Sequence, residues 1–322
     1  MSIFSAPVYH RALPIQLAGV WMERDFLGYG ASLPDPGWPN GARIAVSFVV
    51  NVEEGAEFSI ADGDDRNEPV YEITDEVRDA PDPCRDSHFE YGTRAGYWRI
   101  MRALDEAGAS STLNACGRAI ARSPWLARDA VARGHEVACH GWRWERHAGM
   151  DEGAERATIA RAVAAIADAA GSPPVGWHTK SAPSVNTRRL LVEHGGFVYD
   201  SDAYNDDLPY FVPVLGRRHL ILPYSFDTND MNFQQAGHHF ATAADFAEYV
   251  IDAFDALYAE GGRMMSVGLH CRIVGKPGRA PALDKFLAHV RKRDDVWVTT
   301  RAEIARHWRA IHPAMGGRGV ES

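Results

Sequence analysis

The stretch Arg43-Ile-Ala-Val-Ser-Phe-Val-Val-Asn-Val-Glu-Glu-Gly55 decides the fold. After Arg43 it runs nine residues without a charge, most of them β-branched or aromatic, which is the composition of a buried strand. Two carboxylates follow with no spacer. Adjacent side chains on a regular strand face opposite ways, so both can enter one site only if the chain leaves strand geometry there, as Gly55 permits.

Working outward, the same apolar pattern returns with helical segments between. Strands are expected at 43–52, 111–115, 136–139, 175–179, 197–200, 220–226, 264–270 and 296–299. Helices are expected at 94–107, 124–133, 151–170, 186–194, 243–259, 282–293 and 302–310. Ser123-Pro124 reads as an N-cap with proline at the first helical position, and Gly134 and Gly171 stand where helices end. Strands alternating with helices over eight units predict parallel pairing in one α/β barrel rather than two domains. The expected organisation is an irregular Gly-, Pro- and aromatic-rich arm at 1–41, a barrel at 42–312 and a tail at 313–322. Residues 53–89 stand apart as a long polar, acidic segment, a functional loop or a flexible excursion.

Composition narrows the function without naming it. The 322 residues are 46% hydrophobic and 24% charged, values of a globular protein. The net charge of −9, with no basic run, excludes nucleic acid or an anionic membrane as the main partner, though not a small anionic ligand. Cys84, Cys116, Cys139 and Cys271 form no CxxC pair and are expected as reduced thiols. No segment reads as a secretory signal or a bilayer span, so the expected location is the cytoplasm.

Barrels of this kind build their sites at the C-terminal ends of the strands. Those ends carry Asn51, Glu53 and Glu54; Asn114; His140; Trp177, His178 and Lys180; Asp200 and Asp202; Asp227, Asn229 and Asp230; and His270 with Arg272. Each has a bland alternative: solvated loop carboxylates, a satisfied core histidine, or a tryptophan that packs. In the acidic run 200–207, expected at the mouth of the barrel, one of Asp200 and Asp202 is expected to orient a histidine or arginine and the rest to be exposed. Imidazoles and carboxylates directly after apolar runs such as Ser266-Val-Gly-Leu-His270 favour a joint functional reading.

These motifs resemble the polysaccharide deacetylases, carbohydrate esterase family 4. Ala45 to Gly55 occupies the place of the family's Thr-Phe-Asp-Asp-Gly motif, Cys139-His140-Gly-Trp the place of His-Ser-x-x-His, and Val267-Gly-Leu-His270 that of Leu-x-His. Glu90-Tyr-Gly-Thr-Arg94, the run from Tyr199 to Tyr210, Asp227-Thr-Asn-Asp-Met231, Gly268-Leu-His-Cys-Arg272 and Ile304-Ala-Arg-His-Trp308 look like the branch of deacetylase-like allantoinases. The resemblance implies a distorted TIM-like (β/α) barrel of the NodB type, a homo-oligomer, Glu53 as catalytic base and His270 as general acid. His140 and Glu54 then position or polarise the substrate. Trp177, His178, Lys180, Arg94, Asp200, Asp202, Asp227, Asn229 and Arg272 are the candidate substrate-binding residues.

The departures bear on the cofactor. The family's metal needs one Asp and two histidines four apart, but Trp144 stands at the second histidine position and Glu54 replaces the aspartate. His147 is seven residues beyond His140, which is not the family's spacing. Zinc takes three protein ligands and an open position, so the expectation is no metal, with zinc on Glu54 and His140 as the alternative. After the fourth strand the chain reads Gly176-Trp-His-Thr-Lys-Ser181, where the branch has Gly-Trp-Tyr-Thr-Gly-Arg, a change expected to alter substrate recognition. The leading expectation is a hydrolase opening a small, neutral cyclic amide or ureide by acid–base catalysis. The alternatives are a metal-dependent N-deacetylase of an N-acetyl sugar or other acetamide, and a non-catalytic ligand-binding barrel.

Overall fold

The expected first strand forms as β1, Ile44–Val52, and every one of its side chains is buried. The computed structural model describes residues 24–70, 72–73, 75–234 and 240–313. Eight further strands are described: β2 Ser111–Ala115, β3 Glu136–Cys139, β4 Gly176–Trp177, β5 Tyr199–Asp200, β6 Tyr210–Val214, β7 Arg217–Ile221, β8 Arg263–His270 and β9 Val296–Val298. The sheet order is β6-β7-β5-β4-β3-β2-β1-β8, with β9 also on β1. All pairs are parallel except β6 with β7. β8 lies along β1 from Ile44↔Arg263 to Asn51↔His270, while β9 and then β2 take its other edge.

The sheet curls into a distorted barrel, the α/β barrel that the alternation predicted in the form that the resemblance implied. Between β7 and β8 the closure is thin: one bridge, Asn229↔Gly268, and the Gly268 N–H donating to the Thr228 carbonyl at 2.9 Å. The strand expected at 220–226 is displaced, because 217–221 pairs back on 210–214 as a hairpin. Its two-residue turn, Leu215-Gly216, has φ of 51° and 71°, the doubly left-handed turn that matches strand twist.

Among the described residues, nine α-helices cover the sheet: α1 Pro83–Tyr91, α2 Tyr97–Ala107, α3 Gly117–Arg122, α4 Pro124–Ala132, α5 Glu152–Ala170, α6 Thr187–His194, α7 Ala243–Glu260, α8 Pro281–Val290 and α9 Arg301–Ile311. α1 rises from the end of the long polar segment and runs into α2 through a π-helical turn at Gly92–Gly96. The preceding part of that segment crosses the mouth of the barrel. It is held by Glu68 on Lys180 at 3.2 Å and by Glu72 on Gln234 at 2.7 Å.

The main core joins Phe48, Val50, Tyr97, Ile100, Leu113, Ile159 and Phe286 between sheet and helices. Inside the barrel the filling is polar. Arg301, the first residue of α9, is fully buried and donates to Ser201 and Ser266 hydroxyls and to the Leu222 and Pro223 carbonyls. Among the described residues, no helix is long and apolar enough to cross a membrane. Of the expected arm, 1–23 lies outside the described residues, as does 314–322 of the tail.

Candidate active site

β1 ends at Val52, and the next two residues turn, with the Ala56 N–H donating to the Glu53 carbonyl and Gly55 at φ 92°. This departure from strand geometry turns both carboxylates inward, Glu53 1% and Glu54 4% exposed. Glu53 is the hub. Its Oε2 accepts from Arg272 at 2.7 Å, and its Oε1 lies 3.4 Å from both His140 Nε2 and His270 Nε2. Such distances exceed a tight hydrogen bond, as catalytic pairs without substrate often do.

The two imidazoles are oriented from behind. His140 Nδ1 donates to the His178 carbonyl at 2.5 Å, which leaves Nε2 facing Glu53. His270 Nδ1 meets Asp230 Oδ1 at 2.6 Å, and the other Asp230 oxygen accepts the His270 and Val274 N–H groups. Asp230 is therefore the strand-end residue to which reasoning from sequence gave no role. It belongs to the same polar run as the Asp227 and Asn229 chosen there, and only its backbone turn points it inward.

Glu54 does different work from its neighbour. One oxygen accepts the Glu53 N–H at 3.2 Å and the other the Arg272 N–H at 3.2 Å. It packs so closely on the π-helical turn that a Cβ at Gly92 would fall 2.2 Å from Glu54 Oε1. The motif around Gly92 thus matters through its glycine. Arg94 in the same motif is 77% exposed on its side chain and faces Glu90, away from the cluster.

Charge separates the two carboxylates. Burial raises Glu53, but Arg272, His270 and His140 outweigh it and hold the carboxyl well below its usual range. Burial pushes Glu54 up to about 7 against Arg272, with the Glu53 charge reinforcing the rise. Burial would lower His270, yet Asp230 and Glu53 carry it up to about 9. The site thus holds an ionised carboxylate beside an imidazolium at neutral pH, the division of labour that marks acid–base pairs. Removing one partner of such a buried ion pair costs roughly 3–5 kcal/mol, since the other is left uncompensated.

Beneath lies a hydrogen-bonded floor. His178 stacks on His140 with ring centroids 5.1 Å apart; its Nδ1 meets Asn114 Nδ2 at 3.3 Å and its Nε2 meets the Tyr204 hydroxyl at 2.9 Å. Burial, with His140 and Arg301 adding to it, keeps this imidazole neutral. Lys180 stands at the rim, its ammonium 3.4 Å over the Trp144 ring and bonded to Glu68. Arg272 lies on the other aromatic wall, 5.0 Å from Phe89 and 5.2 Å from Trp144.

Other expected contacts are placed elsewhere. Trp177 is fully buried in the core and donates its Nε1–H to Thr179. Asp200 is buried on Arg188 and His219, so it orients both an arginine and a histidine, as one of the aspartates was expected to do. Asp202 accepts from the Thr179 N–H and hydroxyl. Asp227 takes a bond from Tyr249 at the surface, and Asn229 caps the turn that carries Asp230.

The donor set does not fit the family's metal. Both Glu54 oxygens are engaged by backbone N–H groups, and Trp144 stands at the third ligand position with a lysine ammonium on its ring. His147 is turned to Glu155 at 3.1 Å, packed on Trp177. Among the described residues, no group of three or more His, Cys, Asp and Glu could hold a metal ion.

Comparison with known proteins places this arrangement. The family model for polysaccharide deacetylase matches residues 79–194. A Schizosaccharomyces pombe protein described as "Putative polysaccharide deacetylase" is 38% identical over 319 residues, covering 91% of this chain and 99% of its own. The crystal structure of PuuE allantoinase is 44% identical with a TM-score of 0.86, over 91% of this chain and 99% of its own. That of a probable polysaccharide deacetylase from Pseudomonas aeruginosa PAO1 is 42% identical with the same TM-score of 0.86 and the same coverage, 91% and 99%. The chain belongs to the polysaccharide deacetylase family and, with it, to the hydrolases acting on carbon–nitrogen bonds other than peptide bonds.

Proposed function

We propose that this enzyme opens a small cyclic amide or ureide, with Glu53 as general base and His270 as general acid, and without a metal. The observation that carries the reading is the shared Glu53 Oε1, 3.4 Å from both imidazoles, in a cluster with an aspartate behind its acid. Water attacks the ring carbonyl while Glu53 takes its proton, and the carbonyl π pair moves to oxygen. On collapse the C–N bond breaks and the departing nitrogen takes the His270 proton. The product is one open chain with a new carboxylic acid, which gives up its remaining proton to solvent. Glu53 then returns its proton to His270, and the pair is reset.

Each positioned proton-transfer group contributes roughly 10²–10⁴ in rate. With no Lewis acid in the reaction, an activated ring C–N bond is an easier target than a plain acetamide. The 44% identity to an allantoinase supports the same direction. A second reading, N-deacetylation of an acetamide, is favoured by the family match and by the Pseudomonas relative. A panel of allantoin, hydantoin, succinimide, glutarimide and N-acetylglucosamine separates them. Turnover of a ring amide with none of the acetamide is expected; the reverse ranking overturns the proposal.

A further inference from the structure

One hydroxyl under the catalytic layer has its hydrogen bonds fixed by its neighbours. Asn229 Oδ1 accepts the Met231 N–H at 2.9 Å, so its Nδ2 is the end that faces Tyr224 Oη, at 3.3 Å. Asn51 Nδ2 donates to the Leu269 carbonyl at 3.3 Å, which can only accept, so the same amide nitrogen faces Tyr224 Oη at 3.2 Å. Both amide orientations are thus set by backbone groups. A tyrosine oxygen has two lone pairs and one proton. With both lone pairs taken, the proton is what the hydroxyl has left to offer, and among the described residues Tyr224 has no hydrogen bond in which it is the donor.

The position is as specific as the valence. A Cβ at Gly268 would come within 2.4 Å of both Tyr224 Oη and Asn229 Nδ2. Gly268 and His270 are two apart on β8 and face the same side. Asn51, which donates to the hydroxyl, is registered on His270, and Glu53 lies two residues further along, just past the end of β1. The hydroxyl, packed against Gly268, therefore lies one step deeper in the barrel than His270, about 7 Å along the strand. This is about the span of one amide held by hydrogen bonds at its oxygen and its nitrogen.

We propose that Tyr224 is the oxyanion donor of the reaction: its hydroxyl, primed by Asn51 and Asn229, donates to the carbonyl oxygen as the π pair moves onto it. This rests on the ring-amide reading above. Burial keeps the phenol protonated far into the alkaline range, so it remains a donor throughout. The assignment also gives Gly268 a reason, since any side chain there would displace the donor.

The test uses the full chain and the ring amide that it hydrolyses best. Tyr224→Phe is expected to lower kcat by about 10²–10³-fold, with KM changed little. Because phenylalanine also strips the acceptor from two buried amides, a second variant carries 3-fluorotyrosine at 224, which keeps both lone pairs and makes the proton a stronger donor. A shifted kcat in that variant supports the assignment. Tyr224→Phe with near-normal kcat, or a 3-fluorotyrosine enzyme with unchanged kcat, overturns it. Absence of ring-amide turnover by the wild-type chain overturns the underlying reading instead.

Discussion

Asp230→Asn tests the acid arm of the site directly. In the wild-type protein the Asp230 carboxylate lies 2.6 Å from His270 Nδ1 and, with Glu53, holds the imidazole up to about 9. The amide keeps an oxygen for the His270 and Val274 N–H groups, so the turn is expected to survive, but it removes the charge that stabilises the imidazolium. If all of the rise were lost, the pKa would return to about 6.5, and at pH 8 the protonated fraction would fall about 30-fold. Glu53 remains in place and still raises the imidazole, while burial still lowers it. The sign is definite: His270 must be protonated to serve as acid, so activity is present below its pKa and is lost above it. The assay is kcat/KM against pH from 6 to 10 on the preferred ring amide. The wild-type alkaline limb is expected near 9 and the variant's displaced towards 6.5. Superimposable limbs would refute the reasoning, because His270 would then not be the acid that Asp230 sustains.

Two further outcomes follow from the same geometry. Glu53→Gln keeps the shape but removes the base, and kcat is expected to fall by roughly 10²–10⁴-fold with the fold intact by circular dichroism; a loss below tenfold would remove the base assignment. Arg301→Met deprives the buried Leu222 and Pro223 carbonyls of their donor, at roughly 1–3 kcal/mol each; the melting temperature is expected to drop by several degrees, and an unchanged one would show that those carbonyls find other donors.

The cluster around Glu53 was legible because its members end apolar runs. Glu53 and His140 each follow a buried strand and His270 ends one, where a charged or titratable side chain has no cheap structural excuse, and Arg272 sits two residues past the last of them. Asp230 was not separable from Asp227 and Asn229, because the choice among three polar neighbours depends on the register of one 3₁₀ turn. Arg301 reads as an ordinary solvated residue at a helix start, and only the closed barrel shows that its guanidinium points inward. The β6–β7 hairpin lacked its signal, since Leu215-Gly216 is not a usual left-handed turn pair. Arg94 illustrates the opposite error. It lies in a motif that matters, but the close approach of Glu54 to Gly92 is what the motif provides. The acidic run 200–207, expected at the mouth, is partly spent on internal pairing, with Asp200 on Arg188 and Asp202 on Thr179.

The central claim is hydrolysis by side chains alone. The most direct measurement is turnover of the preferred ring amide after exhaustive chelation and removal of the chelator, with residual metal quantified by elemental analysis. The account predicts undiminished kcat at metal contents far below one per chain, and no gain on adding zinc. Loss of activity that zinc restores would contradict it.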